Sequence, residues 1–277
     1  MNTIEKITNT ELNTKITEHI EQLAKATDAA RASEEMLRYL EALSHFHHYS
    51  MNNIFLILLA KPDASQVAGF QAWKKLGRFV RKGEKGIAIL APIIINKKEE
   101  NSFSLQKKIL QTSNLEKSLV GFKVVYVFDV SQTEGIPLPK PPDWKNPIKY
   151  ASLAQKLIQF AESLGIKVSE QELRGEVQGI SKGGTILLSP DAGTSTMIHE
   201  IAHEMMHRDK DRPLNRSVVE LEAEAVSYVV GRFFGMEGFA CPNYVALHGK
   251  DSKAILDNMD RIRKVAAEII NYCHEDV

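Results

Sequence analysis

The 277-residue sequence predicts an α+β fold in two parts. Both halves mix helix-type and strand-type patterns. A proline-rich stretch separates them. In the second half, short β-branched runs precede a helix that carries an HExxH motif. The separator is Gly135-Ile-Pro-Leu-Pro-Lys-Pro-Pro-Asp-Trp-Lys-Asn-Pro147, whose five prolines in thirteen residues exclude a helix interior or a central strand. Residues 1–135 are therefore read as one domain, 136–147 as a linker, and 148–277 as a second domain.

In the first part, residues 10–47 are helix formers with few breakers. Met36, Leu37, Leu40, Leu43 and Phe46 recur at three- and four-residue steps, which gives a helix one buried face. Gly86–Ile95 is rich in β-branched residues and reads as a strand interrupted at Pro92, and Lys123–Asp129 reads as another. Between them, residues 97–118 are polar and patternless, as expected of a long hairpin loop or an insertion.

The second part opens with an amphipathic helix marked by Leu153, Leu157, Phe160 and Leu164 and closed by Gly165. Short strands follow around Ile166–Val168, Glu176–Ile180 and Thr185–Leu188. A helix capped at Thr194-Ser-Thr runs to about Asp209, a second spans Ser217 to Phe234, and a third runs from about Ser252 to Cys273.

Composition narrows the class. A hydrophobic share of 43% and a charged share of 25% describe a chain that buries an ordinary core. Lys+Arg and Asp+Glu stand at 35 each, so overall charge points to no partner. Cys241 and Cys273 have neither metal-ligand spacing nor the look of a disulfide framework, which fits a reducing compartment. The polar start has no apolar core of a signal peptide, and the longest apolar run, Ile54–Ala60, is too short to span a bilayer. A cytoplasmic protein without a membrane partner is expected.

The chemistry centres on His199-Glu-Ile-Ala-His203. Residues four apart on a helix lie about 40° apart around its axis, so both imidazoles can reach one metal ion. Glu200 is placed to take a proton from an activated water. Zinc needs a third protein ligand and keeps the fourth position for water. The chain supplies Glu220-Leu-Glu-Ala-Glu224, with Glu220 seventeen residues after His203. Glu220 is read as the ligand and Glu224 as the group that orients a ligating histidine; the reverse assignment stays open. Glu222 points about 200° away from Glu220 and is the least suited to bind.

His203-Glu-Met-Met-His207 overlaps the motif as a second copy. The first copy is preferred because His199 follows the helix cap directly, which leaves His207 at the pocket rim or in solvent. HExxH alone arises by chance in unrelated chains. The helical setting, the glutamate pair on the next helix and the preceding strand Gly184–Ser189 argue for zinc. The expected reaction is metal-assisted peptide hydrolysis with Glu200 as general base. That strand could hold an extended peptide by edge pairing. Tyr228, Tyr244, His207 and His248 are candidate oxyanion donors.

A second signal is a basic segment. From Lys61 to Lys98 there are nine Lys/Arg against Asp63 and Glu84, with Phe70, Trp73 and Phe79 interleaved. Cations that follow phosphates, together with rings that stack on bases, suit single-stranded nucleic acid. The alternative is a solvated charged face with Trp73 and Phe70 in the core.

These residues also carry a family resemblance. Tyr49-Ser-Met-Asn-Asn-Ile-Phe55, Gly69–Pro92 and Val127–Gly135 resemble the N-terminal domain of ArdC-type antirestriction proteins. His199–His203 and Glu220–Glu224 resemble the zincin domain of the same proteins and of ImmA/IrrE-like metallopeptidases. The tail from Tyr244 resembles the family's C-terminal end. The resemblance implies a single-stranded DNA-binding domain joined to a zinc metallopeptidase domain, carried by mobile elements that shield incoming DNA from restriction. By position it implies DNA-facing Lys74, Lys75, Arg78, Arg81, Lys82 and Lys85, with His199, His203 and Glu220 on zinc; Trp73 joins the nucleic-acid-binding set as one of the interleaved rings. The protein substrate is not implied. Two other functions fit the same residues. One is a non-enzymatic DNA-coating or restriction-blocking protein with a structural zinc. The other is a regulatory protease that cleaves a repressor.

Overall fold

The computed structural model describes residues 7–25, 29–96, 117–138, 147–208, 215–237, 239, 242 and 251–274. The polar stretch 97–116, most of the linker and the segment from Tyr244 to His248 lie outside the described residues. Helices and strands fall largely in separate runs in both halves, so the fold is α+β.

The helical stretch of the first half is two helices, α1 (Asn9–Lys25) and α2 (Ala29–Phe46). Leu12, Ile16, Ile20 and Leu23 give α1 one buried face, and Met36, Leu40, Leu43 and Phe46 do the same for α2. Helix α3 (Met51–Ala60) begins at Ser50, whose hydroxyl accepts from the Asn53 N–H, and buries the apolar run that starts at Ile54.

Strand β1 (Val67–Gly69), the short helix α4 (Phe70–Lys75), β2 (Arg78–Val80), β3 (Ile87–Asn96), β4 (Lys117–Asp129) and β5 (Thr133–Gly135) follow. β1, β4 and β3 form one antiparallel sheet in that order, and β2 pairs with β5 in a separate ribbon. Pro92 does not interrupt its strand: β3 runs on to Asn96, opposite Phe122 at the proline and with a register shift between Ile93 and Ile94. β3 is an edge strand, where a missing N–H costs no ladder bond. Asn53 covers part of that edge. Its amide nitrogen donates to the Leu90 carbonyl and its oxygen accepts from the Leu90 N–H, both at 2.9 Å.

Asp129 closes this part. Its buried carboxylate accepts from the N–H groups of Ser65, Gln66 and Ser131. Gln132 answers by accepting from the Asp129 N–H, and it donates to Glu84 and to the Lys85 carbonyl. The Phe-Asp-Val-Ser-Gln stretch is thus a latch that anchors the basic loop 81–86.

The second half contains α5 (Pro147–Ser163), β6 (Lys167–Glu170), β7 (Gly179–Ser181), β8 (Thr185–Leu188), α6 (Thr194–His207), α7 (Arg216–Phe233) and α8 (Ser252–His274). Gly165, at φ 70°, turns the chain out of α5. The N-cap of α6 is Gly193, without a side-chain bond, rather than a residue of Thr194-Ser-Thr. Asn215 caps α7 by accepting from the Ser217 N–H.

β8 is the central strand of its sheet, parallel to β6 and antiparallel to β7. It therefore has no free edge for a peptide; β7 does, among the described residues. One buried apolar cluster runs from Leu12 of α1 to Cys273 of α8. Within it α2 packs on α7, while α1 and α3 reach α8. No described helix is long and apolar enough to cross a membrane.

Candidate metal centre and basic surface

Helix α6 sends three consecutive turns to different tasks. His199 and His203 bring their Nε2 atoms to 2.9 Å from each other. Glu220, from the second turn of α7, places a carboxylate oxygen 3.6 Å from His199 Nε2 and 3.5 Å from His203 Nε2. Ligands about 2.1 Å from a tetrahedral zinc stand about 3.4 Å apart, so two imidazoles and one carboxylate at these separations suit a divalent ion. His203 is buried, whereas the Glu220 side chain is 42% exposed, which leaves the centre open on one side. Glu224, one turn along α7, is half-buried and acts on His199 through its charge. Burial holds the His199 imidazole below its ordinary pKa, with Glu220 and Glu224 pulling the other way.

Glu200 is buried against β7. In the β7–β8 ladder, Gln178 and Lys182 bond toward β8, so Gly179 and Ser181 turn their backbone groups to the free edge. The Ser181 N–H donates to Glu200 from that edge. Close approach requires glycine at 179: a Cβ there would lie 2.7 Å from Glu200 Cγ and 2.8 Å from Thr196 Cγ2. Burial pushes the Glu200 carboxyl up to about 7, and the charges of Glu220 and Glu204 add to this against the Ser181 bond.

The overlapping motif copy has other duties. Glu204 is buried and accepts from Ser181 Oγ and from the N–H groups of Gly183 and Gly184, at 2.7, 2.8 and 2.5 Å. It fastens the β7–β8 turn to α6. His207, expected at the rim or in solvent, is 3% exposed and stands 2.7 Å from Glu222. Its sequence gave no sign of this, because the partner comes from another helix. The candidate oxyanion donor Tyr228 directs its hydroxyl to Glu41 of α2.

The basic segment divides in two. Trp73 is only 2% exposed, and its indole N–H donates to the Phe128 carbonyl at 2.8 Å. It is a core residue here, and the stacking role expected of it is corrected: its ring has no face turned to solvent. Phe70 and Phe79 are the exposed rings, at 51% and 53%. Arg78 donates to Thr133 Oγ1, the Thr133 carbonyl and the Ile136 carbonyl. Arg81 bonds Glu84 and the Ser131 carbonyl. Lys74, Lys75, Lys82 and Lys85 are exposed.

Comparison with known proteins places the first half. Residues 5–128 match the N-terminal domain of anti-restriction factor ArdC. That match assigns residues 5–128, and no more of the chain, to the ArdC N-terminal domain family. An uncharacterized protein of Bacillus anthracis is 26% identical over 290 residues, a match covering 90% of this chain and 49% of that protein. The chain thus spans about half the length of the curated relative it matches. Two crystal structures of the antirestriction ArdC protein from the R388 plasmid are similar. The metal-free one shares 17% identity over 81% of this chain and 85% of its own, with a TM-score of 0.44. The Mn(II)-bound one shares 16% over 86% and 99%, also with a TM-score of 0.44.

Proposed function

We propose that this chain is an antirestriction-type protein of a mobile element, with a DNA-binding part in residues 1–135 and a peptide-hydrolysing part in residues 148–277. The observation that carries the hydrolytic part is the convergence of His199, His203 and Glu220 beside a buried Glu200. Zinc held by those three side chains would polarise a scissile carbonyl and lower the pKa of an attacking water towards about 7. Glu200 accepts a proton from that water at a carboxylate oxygen and returns it to the leaving amine. An extended substrate would pair with the edge of β7 at the backbone of Gly179 and at the Ser181 carbonyl, the Ser181 N–H being held by Glu200.

The DNA reading rests on the family match and on the surface beside it. Lys74, Lys75, Lys82 and Lys85 supply cations for phosphates, and Phe70 and Phe79 offer exposed rings to unpaired bases.

The test is single-stranded DNA binding against salt concentration, with metal content and peptide-library cleavage measured on the same samples of wild type and Glu200→Gln. Both proteins are expected to bind DNA with a steep salt slope and to carry about one zinc per chain, while only the wild type cleaves. Equal cleavage by the two, or protein that takes up no metal, overturns the hydrolytic part. DNA binding that is absent or indifferent to salt overturns the other.

A further inference from the structure

His203 uses its two ring nitrogens differently. Nε2 faces His199 and Glu220, at 2.9 and 3.5 Å. Nδ1 faces Nδ1 of His207 at 3.4 Å, the long end of the hydrogen-bond range. His207 in turn places Nε2 2.7 Å from Glu222 Oε2. Both of those side chains are 1% exposed. The other Glu222 oxygen accepts from Asn258 Nδ2 and from the Arg261 guanidinium, both on α8. A continuous line of polar groups therefore runs from the candidate metal centre through α6 and α7 to α8. The reaction outlined above uses nothing in it beyond His203.

The protons along this line have one consistent arrangement with neutral imidazoles. A nitrogen that ligates a metal carries no proton, so His203 holds its proton on Nδ1 and donates it to His207 Nδ1. That nitrogen must then be bare, and the His207 proton sits on Nε2. There it meets an acceptor-only carboxylate, whose second oxygen is satisfied by Asn258 and Arg261. Each imidazole proton finds an acceptor, and the Glu222 carboxylate has a cation beside it.

We propose that His207 and Glu222 are positioning residues for the metal ligand His203. Through this relay they fix its tautomer and ring plane and raise its basicity, so metal affinity depends on two residues that do not touch the metal. The inference rests on the metal reading above. Glu222 thereby acquires a role opposite in direction to that of Glu220: one faces the metal, the other holds the back of its ligand.

The test compares zinc affinity, by chelator competition on the full chain, for wild type, Glu222→Gln, His207→Gln and Asn53→Ala. Asn53→Ala is a buried substitution remote from the centre, so it separates lost stability from lost affinity. The two relay variants are expected to bind zinc about 10- to 100-fold more weakly, and Asn53→Ala as tightly as wild type. Wild-type affinity in both relay variants overturns the proposal, as does an equal loss in Asn53→Ala. Should the relay variants fail to fold, nitrogen-15 NMR of the zinc-loaded wild type decides. A proton on Nε2 of His207 and on Nδ1 of His203 supports the relay, and any other tautomer at His207 overturns it. A wild type that binds no zinc removes the metal reading, and the relay with it.

Discussion

Arg232 of α7 and Glu41 of α2 form a two-pronged ion pair across 191 residues of sequence, with Nε and a terminal nitrogen 2.9 and 2.7 Å from the two carboxylate oxygens. Tyr228, one turn earlier on α7, donates to the same carboxylate. The helix that presents Glu220 is thereby pinned to the helical layer of the ArdC-type half. Parallel geometry of this kind is stronger than a single surface contact. A double-mutant cycle of Glu41→Gln and Arg232→Met, followed by urea unfolding, is expected to give a coupling of about 1 kcal/mol. Additive effects would mean that the pair does not hold the two helices together.

Asn53 stands in for a neighbouring strand at the edge of β3. Asn53→Ala leaves the N–H and C=O of Leu90 buried without partners. The expected loss is about 3 kcal/mol in chemical unfolding, because each unsatisfied group costs about 1–3 kcal/mol. A loss well under 1 kcal/mol would show that water or a backbone shift replaces the side chain.

The inward Trp73 and the outward Phe79 make opposite predictions. Phe79→Ala is expected to weaken single-stranded DNA binding by about 1–3 kcal/mol, the usual worth of one stacked base, at unchanged stability. Trp73→Phe removes the bond to Phe128 and is expected to lower stability by about 1 kcal/mol while DNA affinity at saturating fold is retained. Fluorescence titration beside thermal unfolding reads both quantities.

Glu200 sets a pH dependence in the metal-free protein. Its carboxyl has an ordinary value of 4.5 and is raised to about 7, first by burial. Below 4.5 it is protonated in both the folded and the unfolded chain, so it makes no difference to stability. As the pH rises towards 7, the unfolded chain releases a proton that the folded chain keeps, and folding is progressively disfavoured. Glu200→Gln removes this cost. The melting temperature of the variant should match wild type near about pH 3.5 and exceed it near about pH 8. A difference that stays constant across this range contradicts the raised pKa.

Much of the scaffold is legible in the sequence because it obeys periodicity. The faces of α2 and α8 follow from three- and four-residue spacings, and the positions of His199, His203 and Glu220 follow from one helical turn and one helix connection. What escapes the sequence is set by partners far away in it. α4 spans only Phe70 to Lys75, too short for a pattern to say that Trp73 points inward. His207 is buried because Glu222 and α8 meet it from other helices. β7 and β8, at three and four residues, carry no signal for which one is central; the parallel pairing of β6 with β8 decides it. Pro92 reads as a break until its strand is found at the rim of a sheet.

The carboxylates of Glu200 and Glu204 both grip β7, one at the Ser181 N–H and the other at the Ser181 hydroxyl and the turn beyond. Strand and helix therefore move as one body, and the distance from the rim of β7 to the Glu200 carboxylate is fixed in advance of any substrate. A peptide laid along that rim would be measured like thread against a ruler. On the proposed peptidase reading, an extended chain would meet a spacing from rim to carboxylate that is already set before it arrives.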